Sequence, residues 1–127
     1  MLLLDTHALL WWLFDDPHLS ERARIAISDR ANTVVVSTAS AWELATKWRL
    51  GRLAEAGDVV QRLPQLLAEC GFATLPISVE HALAAGALDV AHRDPFDRML
   101  IAQATLERLT LVTRDAAITN LFTDTLW

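Results

Sequence analysis

The chain has 127 residues, enough for one domain and too few for two independent cores. With 53% hydrophobic and 21% charged residues it can bury a core, which excludes a disordered chain. A formal net charge of -5 excludes nucleic-acid binding by bulk basicity, so chemistry on nucleic acid would need local arginines, bound cations or a basic partner.

Residues 2–4 are a continuous apolar run that predicts a buried strand, closed by Asp5-Thr6. Residues 6–15 predict a helix apolar nearly all round, and hence buried on several sides. This apolar N-terminus lacks a basic leader and its unbroken apolar run is short, so it reads as part of the fold and not as a secretory signal or a membrane span. Asp16-Pro17 breaks the helix and Ser20 caps a second one over 21–30. The β-branched run 33–36 predicts a strand. A helix over 38–50 stops at Gly51, and another over 58–69 stops at Gly71, with Pro64 as a kink or break inside it. The single cysteine, Cys70, excludes an internal disulfide and reads as a small core residue in a reducing, cytoplasmic compartment. Then come a short strand over 73–77, a helix capped by Ser78 and reaching about residue 88, and a polar connection over 89–93. Asp94-Pro95 carries the cap-then-proline signature that opens a helix to about residue 108. A strand over 109–113, a helical turn over 115–121 and a last short strand over 123–127 complete the chain.

Strands that alternate with helices predict an α/β domain over residues 1–127 with a mostly parallel sheet and helices on both faces. Sites in such folds lie at the carboxyl ends of strands. Asp5 and Asp115 directly follow strands, Asp97 stands in the first turn of a helix, and Glu43 in the early part of another. Each has an ordinary explanation. Asp5 and Asp115 suit helix caps, Asp97 suits the helix dipole, and Glu43 stands four residues before Lys47, the only lysine. Their joint placement points further. Clustered carboxylates repel one another, and an all-oxygen donor set without paired Cys or His selects Mg²⁺ or Mn²⁺ over Zn²⁺. Such ions activate water and stabilise the leaving oxygen of a phosphodiester. Arg93, Arg98 and Arg114 flank Asp97 and Asp115 and offer bidentate grips for phosphate, or else pair with the acids. Ser37 and Thr113 follow strands and could bond the acids, although Ser37 also suits a cap. His92 reads as a solvent-exposed loop residue. Five tryptophans exceed what one small core hides, so some are expected to cover a partner surface.

Four segments in order, LLLDTHALLWW, VSTASAWELATKWRLGRL, HRDPFDRMLIAQA and TLVTRDAAI with the closing LW, resemble the PIN-domain family, and more narrowly the VapC-type toxins of bacterial toxin–antitoxin pairs. The resemblance implies a three-layer α/β/α fold and Mg²⁺- or Mn²⁺-dependent endoribonuclease activity on RNA. It implies that the family's four acids fall on Asp5, Glu43, Asp97 and Asp115, and its strand-ending hydroxyl on Thr113. Asp94 lies close to Asp97 and could share the metal role, although its N-cap position explains it without one. It further implies a homodimer and a neutralising antitoxin, with no membrane partner. Two rivals remain. A non-catalytic PIN-like module would be expected to lack some of the acids. An aspartyl phosphatase using Asp5 would want Asp where His7 stands, and a lysine late in the chain.

Overall fold

The computed structural model describes residues 1–127. Five strands form one wholly parallel sheet: β1 (Leu2–Leu4), β2 (Val34–Ser37), β3 (Ala73–Leu75), β4 (Thr110–Val112) and β5 (Thr125–Leu126). Their spatial order is β3-β2-β1-β4-β5. The chain works outward from β1 on one side, then crosses back to lay β4 against its other edge. This reversal opens a crevice at the carboxyl ends of β1 and β4, where the order switches direction.

Seven helices cover the sheet: α1 (Thr6–Leu13), α2 (Glu21–Ser28), α3 (Thr38–Arg49), α4 (Gly57–Cys70), α5 (Val79–Ala87), α6 (Pro95–Glu107) and α7 (Ala116–Thr119). The strand pleat sorts side chains to alternate faces. Leu2, Leu4, Val34 and Val36 join a core with residues of α1 to α4, including Leu9, Ile27, Leu44 and Leu63. Leu3, Val35 and Leu111 point the other way, to Leu100, Ile101 and Ala104 of α6 and Ile118 of α7. The result is the three-layer α/β/α arrangement.

The elements depart from expectation in a few places. α1 stops at Leu13, and Asp15 takes a left-handed φ of 50° that ends the helix before Asp16-Pro17. α4 runs through Pro64, because its buried stripe of Val59, Leu63 and Leu67 outweighs one missing backbone bond. Cys70 is half-buried at the end of α4 and not in the core. Trp42 and Trp48 are exposed by 60% and 40%, the surplus of indole surface the composition implied. No helix is long and apolar enough to cross a membrane.

Candidate active site

A cleft of about 430 Å³ opens at the crevice between β1 and β4. Asp5, Glu43, Asp94, Asp97 and Asp115 all line it, with Lys47 and Arg114 as its lysine and arginine. Acids separated by most of the chain length thus meet in one place, and local folding explains how. Asp5, Asp94 and Asp115 are the N-caps of α1, α6 and α7, each accepting backbone N–H groups of the first turn. Asp97 lies in that same turn of α6. The N-termini of these helices carry partial positive charge, so they stabilise carboxylates held against them.

Asp5 is 8% exposed, and its Oδ1 accepts the Ala8 N–H at 2.7 Å. Burial raises its carboxyl above the ordinary value, against the opposing pull of the Thr113 hydroxyl and the Ala8 N–H. Glu43 is also buried, and both of its oxygens are engaged: Oε1 accepts the Thr6 hydroxyl and Oε2 pairs with Lys47 one turn on. The expected helix ion pair is therefore present, but it lies in the cleft wall and not on the surface. Asp97 Oδ2 lies 2.8 Å from His92 Nε2. Burial, then repulsion from Asp94, Glu43 and Asp115, pushes the Asp97 carboxyl up to about 6, although the His92 bond opposes the rise. Asp115 is exposed; its Oδ1 accepts the Ala117 N–H at 2.9 Å and its own N–H donates to Thr113 Oγ1 at 3.1 Å. Thr113 thus steadies the acids from below, fully buried at the end of β4.

The donor set is all oxygen, and burial, with a smaller part from neighbouring acids, raises the carboxyls of Asp5 and Asp97, a setting that suits a hard divalent cation. As the side chains stand, no three acidic, His or Cys groups lie close enough together to hold an ion. Loading the site would thus require rotamer shifts of the acids, with Glu43 drawn from its Thr6 and Lys47 partners or left to act through its neighbours.

Other sequence expectations fare differently. Ser37 does not line the cleft; it caps α3 by accepting the Ala39 N–H at 3.0 Å. Arg93 is exposed and outside the cleft lining. Arg98 does not serve phosphate: its guanidinium donates to the carbonyls of Ala85, Gly86, Val90, Leu88 and His92, so its donors are occupied in holding the α5–α6 connection. Arg114 alone of the three lines the cleft. His92 is half-buried against Asp97 and not free in solvent. His7 and Trp11 also line the cleft. The signal the sequence held for them is their place in the first turns of the helix that opens directly after Asp5.

A model of the PIN domain matches residues 2–121. Ribonuclease VapC16 of Mycobacterium tuberculosis is 39% identical over 59 residues, 46% of this chain. The matched stretch spans 40% of that relative's length. A toxin–antitoxin complex from Klebsiella pneumoniae superposes with a TM-score of 0.69 at 22% identity, over 100% of this chain and 97% of that one. VapBC2 from Rickettsia felis, bound to a DNA fragment from its promoter, gives 0.67 at 15% over 98% and 95%. FitAcB from Neisseria gonorrhoeae gives 0.65 at 25% over 91% and 88%.

Proposed function

The chain belongs to the PIN domain family, and on that premise we propose that it is a divalent-metal-dependent endoribonuclease, the toxin of a VapBC-type toxin–antitoxin pair. The observation that carries the reading is the meeting of Asp5, Glu43, Asp97 and Asp115, with Asp94, in one cleft at the switch point of the sheet. The identity to a ribonuclease, over less than half of either chain, supports the same chemistry.

Asp5, Asp97 and Asp115, with Glu43 behind them, would hold Mg²⁺ or Mn²⁺, which when bound supplies Lewis acidity for hydrolysis of a phosphodiester. The chain's own residues prepare the cleft for an anionic strand. Lys47 and Thr6 fix the Glu43 carboxylate and limit its repulsion of Asp97 and Asp5. His92 orients Asp97 through Oδ2 at the edge of the cleft that Asp97 lines. Thr113 sets the backbone of Asp115. The helix N-termini behind Asp5, Asp94 and Asp115 partly offset the negative charge that would otherwise repel RNA.

Purified protein should cut single-stranded RNA internally with Mg²⁺ or Mn²⁺, and EDTA should stop it. Cleavage that persists in EDTA and survives substitution of each acid overturns the mechanism. A reading as a non-catalytic PIN module is favoured by one observation, the engagement of both Glu43 oxygens. It expects RNA to stay intact under every metal condition.

The partners follow from the same reading. The Klebsiella pneumoniae neighbour is a toxin–antitoxin complex, and an antitoxin that blocks this acidic cleft, for instance with an arginine, fits its charge. Co-expression of the neighbouring small reading frame should relieve growth arrest; persistent arrest counts against it. A homodimer is proposed through the apolar face of α3, α5 and α6. There Trp42 packs edge-on against Phe96 beside a small apolar hollow, and Val79 and Leu83 stand 71% and 70% exposed. Sedimentation should show a dimer that Leu83→Glu converts to monomer, and a monomeric parent at micromolar concentration sinks this.

A further inference from the structure

We propose that Arg114 is the residue that grips a phosphate of the substrate strand, and that Trp11 is the shelf that positions it; the inference rests on the ribonuclease reading above. Arg114 and Lys47 are the arginine and lysine in the cleft lining. The Lys47 ammonium is bound to Glu43. Arg114 makes no ion pair; its guanidinium carbon instead lies 4.5 Å from the centroid of the Trp11 ring. A cation over an indole ring spends none of its N–H donors on the contact, so Arg114 keeps its fork available for a planar, bidentate anion.

The shelf is itself held. Trp11 is half-buried in α1, the His18 ring stacks at 5.4 Å and 24°, His7 lies at 5.5 Å, and Trp127 meets it edge-on at 5.7 Å. The backbone of Arg114 is fixed between Thr113, at the end of β4, and Asp115, the cap of α7. Arg114 is exposed in the short segment between β4 and α7, and the Trp11 contact lowers the side-chain ordering cost that an unsupported arginine there would meet on binding. Simple charge balancing is a weaker account. Asp16 feels the Arg114 charge, but it already takes the backbone N–H and ring of His18 at 2.8 and 2.7 Å. In a cleft lined by five acids, a pre-set cation with free donors is what an anionic strand needs for alignment.

Trp11 acts through Arg114 and is therefore a positioning residue. Steady-state cleavage of a short single-stranded oligoribonucleotide with Mg²⁺ tests this in five proteins: the parent, Arg114→Lys, Arg114→Ala, Trp11→Leu and the Trp11→Leu/Arg114→Ala double variant. Arg114→Ala should raise KM about tenfold or more with kcat within about twofold. Arg114→Lys, which keeps the charge but not the plane, should recover little of that loss. Trp11→Leu should raise KM about two- to fivefold, the worth of an exposed cation–π contact. The double variant should be no worse than Arg114→Ala alone, because the shelf has nothing left to position. The slope of log(kcat/KM) against log salt should fall by about 0.7 in Arg114→Ala, as for one lost phosphate contact on a single strand. A sixth protein, Trp11→Phe, keeps a ring in place should the leucine variant unfold, and its KM should lie nearer the parent's. Unchanged KM and salt slope in Arg114→Ala, or effects of Trp11 and Arg114 that multiply, overturn the proposal while leaving the nuclease reading intact. A parent that cuts no RNA overturns both, and that outcome is visible before any variant is compared.

Discussion

At the scale of single residues, the chemistry of the cleft is a contest between burial and repulsion on one side and hydrogen bonds on the other. Asp97 shows it most directly. Its carboxyl is pushed up to about 6 from an ordinary 3.8. The native state therefore holds more protons than the unfolded chain between those values, and the free energy of unfolding falls as pH rises through that window. Asp5 is raised as well and acts in the same direction. Metal-free protein should thus lose stability from about pH 4 to pH 6, and Asp97→Asn should flatten that slope and melt at the same or a higher temperature at pH 7. If Asp97 served only the α6 dipole, the same change would cost about 0.3–1 kcal/mol and spare RNA cleavage. Thermal melts of both proteins across this pH range, beside a cleavage assay, separate the two. Asp5, Asp97 and Asp115 were legible in the sequence because each adjoins a recognisable strand end or helix start, whereas Glu43, inside α3, was marked by the resemblance. The partners that set their charge were legible only in part. Glu43–Lys47 follows from helix spacing. His92–Asp97 depends on how the 89–93 connection folds back, which no periodicity reveals, and the Thr6–Glu43 bond joins α1 to α3 across 37 positions.

At the scale of elements, helix starts do the positioning and one arginine holds the least regular segment in place. The chain between α5 and α6 carries no regular structure, yet it supplies His92 and leads into Asp94 and Asp97. Arg98 reaches back from α6 to its carbonyls, with Nε to Ala85 at 3.0 Å and the terminal nitrogens to Leu88 at 2.7 Å and His92 at 2.9 Å. Charge-assisted bonds of this kind hold a loop that has little apolar surface to bury. Arg98→Ala should therefore destabilise the fold by roughly 2–4 kcal/mol. It should also lower activity through disorder of His92 and the α6 start, with Arg98→Lys recovering only a part because a single ammonium cannot span the same carbonyls. Denaturant melts read the first effect and hydrogen exchange over residues 85–97 the second. A variant as stable as the parent, with an unchanged loop, refutes the staple. The helix and strand order was readable from caps, glycines and apolar runs. The role of Arg98 was not, because an arginine one residue after a candidate acid looks the same in sequence whether it faces a substrate phosphate or backbone oxygens.

At the scale of the whole molecule, a net charge of -5 and a cleft that gathers five acids set the terms on which the fold is stable. The two cores on either side of the sheet hold the crevice open regardless of its repulsion, since β1, β2 and β4 supply their buried strand residues and Leu75 of β3 and Leu126 of β5 pack against them. That parallel three-layer plan was legible from the alternation of elements, whereas the order β3-β2-β1-β4-β5, which puts Asp5 beside Thr113 and Asp115, was not, because strand neighbours are chosen by tertiary packing. A consequence of this plan is that a cation bound at the cleft acts on the global equilibrium. The unfolded chain scatters its acids and holds no such site, so Mg²⁺ or Mn²⁺ binding to the native state alone should stabilise it by about 2.7 kcal/mol at a hundred times its dissociation constant. For a domain of this length that is a rise in Tm on the order of 10 °C. Protons compete for the same oxygens, so the rise should shrink as pH falls below about 6, where Asp97 takes up its proton. Asp97→Asn should show a smaller rise at pH 7 and less dependence of that rise on pH. Calorimetry with Mg²⁺ against sodium chloride of equal ionic strength distinguishes site binding from screening of the acidic surface. A rise that the sodium salt reproduces, or one that is the same at pH 5 and pH 7, would mean the acids stabilise their helices and hold no ion.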